Sequence, residues 1–215
     1  LAPRWRPLEQ PHHSITPQAM IGGGTILQPG VISRAHGGVL LMDEFLEFHP
    51  QVLEALREPI ENGAIEIARR GYRERLPARF QLVATTNLCP CGQLYPGRLE
   101  GCSRSLTRCR SVCRRLSGPL LDRFDMLVFS HQWLKKSDRV RLKEVQETVQ
   151  RLAEFARRRG DVALALPKEY EELALSHRRR RSMLRVARAF ADYDESVEIR
   201  PEHFHRAAHV STLAM

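Results

Sequence analysis

The feature that most constrains the fold of this chain is a pair of adjacent carboxylates at the end of an apolar run. Val39–Met42 are all apolar, and Asp43 and Glu44 follow directly. A strand buried inside a parallel sheet is apolar on both faces, so such a run needs no alternation. Where the chain leaves the core, the first carboxylate can help hold Mg²⁺, and the second can orient or deprotonate a water. The alternative is a buried strand followed by an ordinary acidic turn.

A second strand of the buried type is predicted over residues 80–87, and it ends in Asn87. If this strand lies beside the first, the Asn87 amide sits next to Asp43 and Glu44. There it can hydrogen-bond a water or a terminal phosphate. The alternative is an asparagine that only forms a turn.

A third signal is Arg123, between Asp122 and Asp125 in the segment 118–125. An arginine in such a position can project into a neighbouring active site and stabilise phosphoryl charge. The pattern equally fits a surface salt bridge with one of the two aspartates.

Composition favours a polyanion partner. The 215 residues include 34 Lys and Arg against 25 Asp and Glu, a formal net charge of +9, which suits nucleic acid or nucleotide. Neither a signal peptide nor an apolar run near the roughly 20 residues of a membrane span is present. We therefore expect a cytoplasmic chain without a membrane partner.

The chain divides near residue 130 into two predicted domains. Residues 1–130 have the strand-like runs of an α/β fold with a parallel sheet. Residues 131–215 have helical periodicity and predict a small lid of four helices. Ser137 or Asp138 caps the first of these helices, and Gly160 ends it. The others begin after Pro167, near Arg178 and at Pro201.

All five cysteines lie within residues 89–113. A cytosolic chain has little use for structural disulfides, so clustered thiols predict a Zn²⁺ site in this stretch. The alternative is spare buried thiols. The candidate ligands are Cys89, Cys91, Cys102, Cys109 and Cys113.

Taken together, these segments resemble an AAA+ ATPase of the Mg-chelatase-related, ComM (YifB) type. The resemblance covers nearly the whole chain. The matching motifs are residues 11–14 (PHHS), 22–24 (GGG), 29–30 (PG), 35–44 (AHGGVLLMDE), 52–59 (VLEALREP), 77–80 (PARF), 87–92 (NLCPCG), 116–123 (LSGPLLDR) and 184–188 (LRVAR).

The resemblance implies ATP and Mg²⁺ as cofactors and a ring oligomer, most simply a hexamer. It makes Asp43 and Glu44 the Walker B pair, Asn87 sensor 1 and Arg123 a finger that acts in trans. Arg178 falls where the family has its sensor 2 arginine. Because residues 178–181 are all arginine, the arginine one position away is an alternative, and so is a solvated helix face without that role.

Residues 64–75 predict a β-hairpin, since Ile65 and Ile67 alternate along one arm and the tip falls at residues 70–71. Related AAA+ motors have a pore-facing hairpin just before sensor 1. By that resemblance the hairpin contacts DNA, with arginines on phosphates and a tyrosine stacked on a base. The alternative is a solvent-facing hairpin. The candidate nucleic-acid residues are Arg69, Arg70, Tyr72, Arg73 and Arg75.

The chain contains no G-x-x-x-x-G-K-[ST] motif, and no lysine follows residues 22–24 to reach a phosphate. The resemblance places the P-loop and its strand before Leu1. We therefore expect a C-terminal part of a larger protein that does not hydrolyse ATP alone.

Three functions compete. The first is a DNA-acting ATPase motor for branch migration or unwinding. The second is the ATPase subunit of a magnesium chelatase. The third is a zinc and nucleic-acid binding module without a P-loop.

Overall fold

The computed structural model describes residues 6–24, 28–69, 72–89, 91–93, 105, 107, 118–129, 141–162, 165, 167–171 and 175–211. The chain forms two compact units, Leu1–Arg123 and Phe124–Met215. Unit 1 contains, in chain order, β1 (Leu8–Glu9), α1 (Pro17–Ile21), β2 (Gly22–Gly23), β3 (Gln28–Pro29), α2 (Val31–Arg34), β4 (Val39–Met42), a 3₁₀ turn (Phe45–Glu47), α3 (Pro50–Ala55), α4 (Arg57–Asn62), β5 (Ala64–Arg69), β6 (Tyr72–Pro77), β7 (Gln81–Ala84) and α5 (Gly118–Leu121).

A three-stranded sheet in the order β1-β4-β7 organises unit 1. The middle strand β4 is parallel to both neighbours. Val39 is in register with Gln81, and Met42 with Ala84. The predicted α/β fold with a parallel sheet is confirmed, and the second predicted strand does lie beside the first. The residues that follow β4 and β7 therefore emerge at the same end of the sheet.

The sheet is buried on one face only. Leu40 and Met42 are fully buried, whereas Val39 and Leu41 are half-buried. On β7, Val83 is 39% exposed. The expectation of burial on both faces is therefore wrong for these strands. Successive side chains of a strand point to opposite faces, so the buried Leu40 and Met42 share one face and the half-buried Val39 and Leu41 share the other.

The close approach of β1 to β4 depends on Gly38. The Val39 N–H donates to the Pro7 carbonyl at 2.8 Å. A Cβ on Gly38 would lie 1.9 Å from that carbonyl oxygen, which is far inside van der Waals contact. Glycine at position 38 is therefore what allows β1 to pair with β4.

An antiparallel hairpin of β5 and β6 precedes the last strand, with Ala64 in register with Pro77 and Arg69 with Tyr72. The predicted hairpin is thus confirmed. Residues 70–71, the predicted tip, lie outside the described residues. Ala64 and Ile65 are buried at the base of the hairpin.

The described part of unit 2 contains four helices: α6 (Leu142–Arg159), α7 (Lys168–Glu171), α8 (His177–Tyr193) and α9 (Pro201–Ser211). Ser137 and Asp138, the predicted caps of the first helix, lie outside the described residues. Gly160 ends α6 with φ of 68°, as predicted. Ser176 caps α8 by accepting a hydrogen bond from the Arg179 N–H at 3.1 Å.

The core of unit 2 lies between α8 and α9. Its buried residues are Met183, Val186, Ala187, Phe204 and Ala207. Tyr170 of α7 stacks on Phe204 at 5.7 Å between ring centroids. Helix α6 contributes no fully buried residue. In the part of the chain that is described, no helix combines the length and apolarity that crossing a membrane requires.

Candidate functional site

Asp43 and Glu44 follow the last residue of β4, and both are exposed. Thr85 follows the last residue of the neighbouring β7. The Thr85 N–H donates to the Met42 carbonyl at 3.1 Å, and the Phe45 N–H donates to the Thr85 carbonyl at 2.8 Å. The backbone ladder between the two strands therefore continues past their ends and holds the two carboxylates beside Thr85.

The Thr85 side chain contacts both acidic residues. Its hydroxyl donates a hydrogen bond to Oδ1 of Asp43 and accepts one from the Glu44 N–H at 3.3 Å. The sequence prediction missed this residue. The strand register was the signal that could have found it, since pairing Met42 with Ala84 sets Asp43 opposite Thr85.

Glu44 adopts the left-handed conformation, with φ of 53° and ψ of 47°. For a residue with a side chain this conformation is unfavourable, and such strain concentrates at functional sites. Within the described residues the Glu44 carboxylate has no hydrogen-bond partner, whereas the Glu44 carbonyl accepts from the Glu47 N–H at 2.7 Å. The turn therefore leaves the carboxylate available to solvent.

Asn87 lies three residues beyond the end of β7 and is exposed. Its carbonyl accepts a hydrogen bond from the Thr86 hydroxyl at 3.3 Å. The structure places Asn87 at the same end of the sheet as Asp43 and Glu44. No hydrogen bond joins the Asn87 amide to either carboxylate in this described region.

Arg123 is held inside unit 1. Its guanidinium donates to the Glu61 carboxylate and to the Pro119 carbonyl, and its side chain is only 8% exposed. The ion pair joins the loop after α5 to the end of α4. Neither of these two hydrogen bonds goes to Asp122 or Asp125, the predicted salt-bridge partners.

The four consecutive arginines of unit 2 differ in their surroundings. Arg179 is only 7% exposed, and its Nη1 donates to the carbonyls of Phe124 and Ser211, both at 2.8 Å. Arg178 is half-buried and Arg181 is exposed. Arg179 therefore ties the start of α8 to two other segments of unit 2. Four identical residues in a row cannot be distinguished until the buried face of α8 is known.

Two of the predicted zinc ligands lie in the described part of the chain. Cys89 is buried, Cys91 is half-buried, and their Sγ atoms are 3.2 Å apart. Cys102, Cys109 and Cys113 lie outside the described residues. In the described ranges, no three or more His, Cys, Asp or Glu residues are grouped so that they could hold a metal ion.

The hairpin has exposed arginines on one face. Arg73 and Arg75 are exposed on β6, opposite Ala68 and Glu66 of β5. Arg70 lies outside the described residues, as do the side chains of Arg69 and Tyr72. Glu66 lies opposite Arg75 across the strands, whereas Ala68 lies opposite Arg73. Opposite charges at directly opposed positions attract each other, so the two arginines differ in their surroundings.

The end of the sheet gathers oxygen groups: two carboxylates, a threonine hydroxyl and an asparagine amide. Hard cations such as Mg²⁺ prefer these oxygen ligands, commonly with only one or two carboxylates. The residue types at this end of the sheet therefore fit a magnesium ion. One carboxylate oxygen of Asp43 accepts the hydrogen bond from Thr85.

Comparison with known proteins identifies two family models along the chain. "Magnesium chelatase, subunit ChlI" matches residues 2–138, and "Magnesium chelatase, subunit ChlI C-terminal" matches residues 131–210. The "Uncharacterized protein YifB" of Escherichia coli is 36% identical over an alignment of 230 positions, which covers 95% of this chain and 45% of that protein. The "Competence protein ComM" of Haemophilus influenzae is 48% identical over 126 residues, 57% of this chain and 24% of that protein.

A more distant relative is the "Probable DNA helicase MCM9" of Oryza sativa subsp. indica, 35% identical over 120 residues, which are 55% of this chain and 16% of that protein. The chain spans less than half the length of each of these three relatives. Its two matched regions together run through both structural units. The chain therefore belongs to the magnesium chelatase family and to its ComM-type (YifB) branch.

Proposed function

We propose that this chain is part of an ATP-hydrolysing AAA+ motor that acts on DNA. The observation that carries the proposal is the pair Asp43 and Glu44 at the carboxyl end of β4, beside the parallel strand β7. Ligands of open α/β sheets bind at this end of the strands. Membership of the magnesium chelatase family supports ATP and Mg²⁺ as the ligands.

In this proposal Asp43 holds the magnesium ion through its carboxylate, and Glu44 takes a proton from the attacking water. Bound Mg²⁺ would neutralise charge on the phosphates. Asn87 contacts the water or the terminal phosphate through its amide. The exposure of all three residues supports these roles, because a nucleotide can reach them.

Arg123 and Arg178 have the phosphate-sensing roles in the proposal. Arg123 is the finger that reaches a neighbouring subunit, which requires it to leave Glu61 and the Pro119 carbonyl. Arg178 is the sensor 2 arginine of the helical unit. The engagement of Arg179 with two backbone carbonyls supports Arg178 over its buried neighbour.

DNA is the proposed substrate, and a ring, most simply a hexamer, is the proposed assembly. The net charge of +9 and the exposed Arg73 and Arg75 of the hairpin support a nucleic-acid partner. Similarity to a protein named as a probable DNA helicase also favours DNA. Arg69, Arg70 and Tyr72 complete the proposed contact surface.

A second candidate function is the ATPase subunit of a magnesium chelatase, which the descriptions of both family models favour. That enzyme would use the same Asp43 and Glu44 chemistry for a different substrate. DNA-stimulated ATP turnover separates the two, because a chelatase subunit has no use for DNA.

The proposal also includes a zinc site formed by cysteines within residues 89–113. The 3.2 Å between the Sγ atoms of Cys89 and Cys91 brings two thiols close enough to bind one ion. Cys102 and either Cys109 or Cys113 would supply the other two ligands of a tetrahedral site. Metal analysis after dialysis tests this site: zinc well below one per chain would contradict it.

The experiment that tests the function uses a chimera, because the chain has no G-x-x-x-x-G-K-[ST] motif of its own. The chain replaces the region of Escherichia coli YifB to which it aligns. We expect DNA-stimulated ATP turnover that Glu44→Gln abolishes, and no turnover from residues 1–215 alone.

Turnover that DNA does not change would favour the chelatase function. Zinc-dependent DNA binding without any turnover would favour the binding module. Turnover by residues 1–215 that Glu44→Gln abolishes would contradict the expected need for a P-loop. A chimera with Asp125→Asn serves as a control for a conservative acidic substitution outside the end of the sheet.

A further inference from the structure

We infer that Thr85 is a positioning residue for both carboxylates, a role that rests on the function proposed above. Its hydroxyl lies between two groups that the chemistry needs in fixed places. One is the Asp43 carboxylate, and the other is the backbone of Glu44. Thr85 contacts no nucleotide in this account and acts through these two residues.

The first part of the role concerns the Asp43 carboxylate. A hydroxyl has one proton, and that of Thr85 goes to Oδ1 of Asp43. Asp43 is exposed, so without this bond its carboxylate could rotate among several rotamers. Occupying Oδ1 restricts the carboxylate and leaves Oδ2 as the oxygen available to a cation. Hydrogen bonds to ligating carboxylates orient them in this way.

The second part concerns the Glu44 backbone. The left-handed conformation of Glu44 is unfavourable and persists only where its surroundings hold it. Thr85 supplies two of the bonds that do so: its hydroxyl accepts from the Glu44 N–H, and its carbonyl accepts from the Phe45 N–H at 2.8 Å. The same residue therefore sets where Asp43 points and where the Glu44 side chain leaves the backbone.

The neighbouring Thr86 does not make the contacts that Thr85 makes with Asp43 and Glu44. Both are exposed threonines after β7, but the Thr86 hydroxyl donates only to the next carbonyl, that of Asn87, at 3.3 Å. Thr86 is therefore a matched control: the same side chain, one position along, without contact to the carboxylates.

The test compares the chain with Thr85→Val, which has a similar shape without a hydroxyl, Thr85→Ser, which retains the hydroxyl, and Thr86→Val. The first readout is hydrogen exchange of the Glu44 amide. The second is Mn²⁺ affinity by electron paramagnetic resonance, with Mn²⁺ and ATP as probes. Thr85→Ala repeats the comparison in case the valine does not fit.

We expect Thr85→Val to exchange the Glu44 amide faster by about tenfold and to bind Mn²⁺ about 10–100-fold more weakly. Thr85→Ser and Thr86→Val should match the unsubstituted chain in both readouts. The inference is overturned if Thr85→Val leaves the Glu44 exchange rate unchanged, or if serine does not restore it.

Failure of the proposed function would look different. If Asp43→Asn leaves Mn²⁺ affinity unchanged, Asp43 is not the metal-binding residue, and the function fails at this point. The exchange rate at Glu44 then still decides whether the Thr85 hydroxyl holds the turn. If Asp43→Asn weakens Mn²⁺ binding but Thr85→Val does not, the function stands and the positioning role is wrong.

Discussion

Arg123 donates a hydrogen bond to the carboxylate of Glu61, at the end of α4, and this ion pair lies largely out of solvent on the arginine side. Glu61 itself is 44% exposed, so water still reaches the pair. The contact accounts for the buried position of an arginine that the family resemblance assigns to a neighbouring site. Arg123 can therefore reach another site only if it breaks its ion pair with Glu61.

The first prediction concerns this pair. Glu61→Ala should lower the free energy of unfolding by about 1–2 kcal/mol, because it leaves a nearly buried guanidinium without its carboxylate. Urea denaturation measures the change. Glu58→Ala, on the same helix and exposed, should stay within about 0.5 kcal/mol. Equal effects of the two substitutions would show that the ion pair does not stabilise unit 1.

The second prediction concerns the strained turn after β4. Glu44→Gly should raise the free energy of unfolding by about 0.5–1 kcal/mol, because glycine adopts the left-handed conformation without a Cβ penalty. Glu44→Gln should leave stability unchanged, since it retains the strain.

Glu47→Gly, three residues further along, is the control for the general effect of introducing a glycine. Glu47 belongs to the 3₁₀ turn and is not among the described residues with positive φ. Its replacement should lower stability by about 0.5–1 kcal/mol. Thermal unfolding of the three variants measures these signs, and a loss of stability in Glu44→Gly would contradict the strain.

The third prediction concerns the buried arginine of unit 2. Arg179→Met should lower the free energy of unfolding by about 2–4 kcal/mol, because the Phe124 and Ser211 carbonyls lose their donor. Arg181→Met, on the exposed side of the same helix, should change stability by less than about 0.5 kcal/mol. Chemical denaturation of the two variants makes the comparison, and similar stabilities would argue against the structural role of Arg179.

The fourth prediction concerns the hairpin. Arg73→Ala should weaken single-stranded DNA binding more than Arg75→Ala, because Glu66 lies opposite Arg75 and its negative charge attracts that arginine. Fluorescence anisotropy across a salt series is the measurement. Loss of one phosphate contact should reduce the slope of log K against log salt by about 0.7.

Arg57→Ala is the control for a general loss of positive charge, because Arg57 pairs with Glu54 at 2.6 Å. That pairing also raises the pKa of Arg57, chiefly through the hydrogen bond to Glu54. An equal loss of DNA affinity in all three variants would show that the hairpin is not the contact surface.

The sequence predicted β4 and β7, because a run of strand-forming residues is a local pattern, and it put Asp43 and Glu44 at the end of β4. It did not predict β1, and it left the pairing of β4 with β7 as a condition, because parallel pairing joins residues far apart in the chain. It missed Thr85, because the role of a hydroxyl depends on which residue the neighbouring strand sets opposite it. Expecting burial on both sheet faces was wrong, since a pattern of apolar residues does not say what covers them.

The arginines show a second limit of the sequence. Residues 178–181 are chemically identical, so only the phase of α8 distinguishes them. Arg179 shares its face with Ser182, Met183 and Val186, which are all buried. That periodicity was readable in principle once the helix boundaries were known. The partner of Arg123 was not, because Glu61 lies 62 residues earlier in the chain.

The hydrogen bond between Thr85 and Asp43 also has a consequence for the order of events in folding. The two residues are 42 positions apart, so on a ribosome the carboxylates are made long before the hydroxyl that holds them. Helices α3 and α4 and the β5–β6 hairpin lie between, and they can form from nearer contacts. A nascent chain that ends before Thr85 therefore lacks this site, which forms only when β7 pairs with β4.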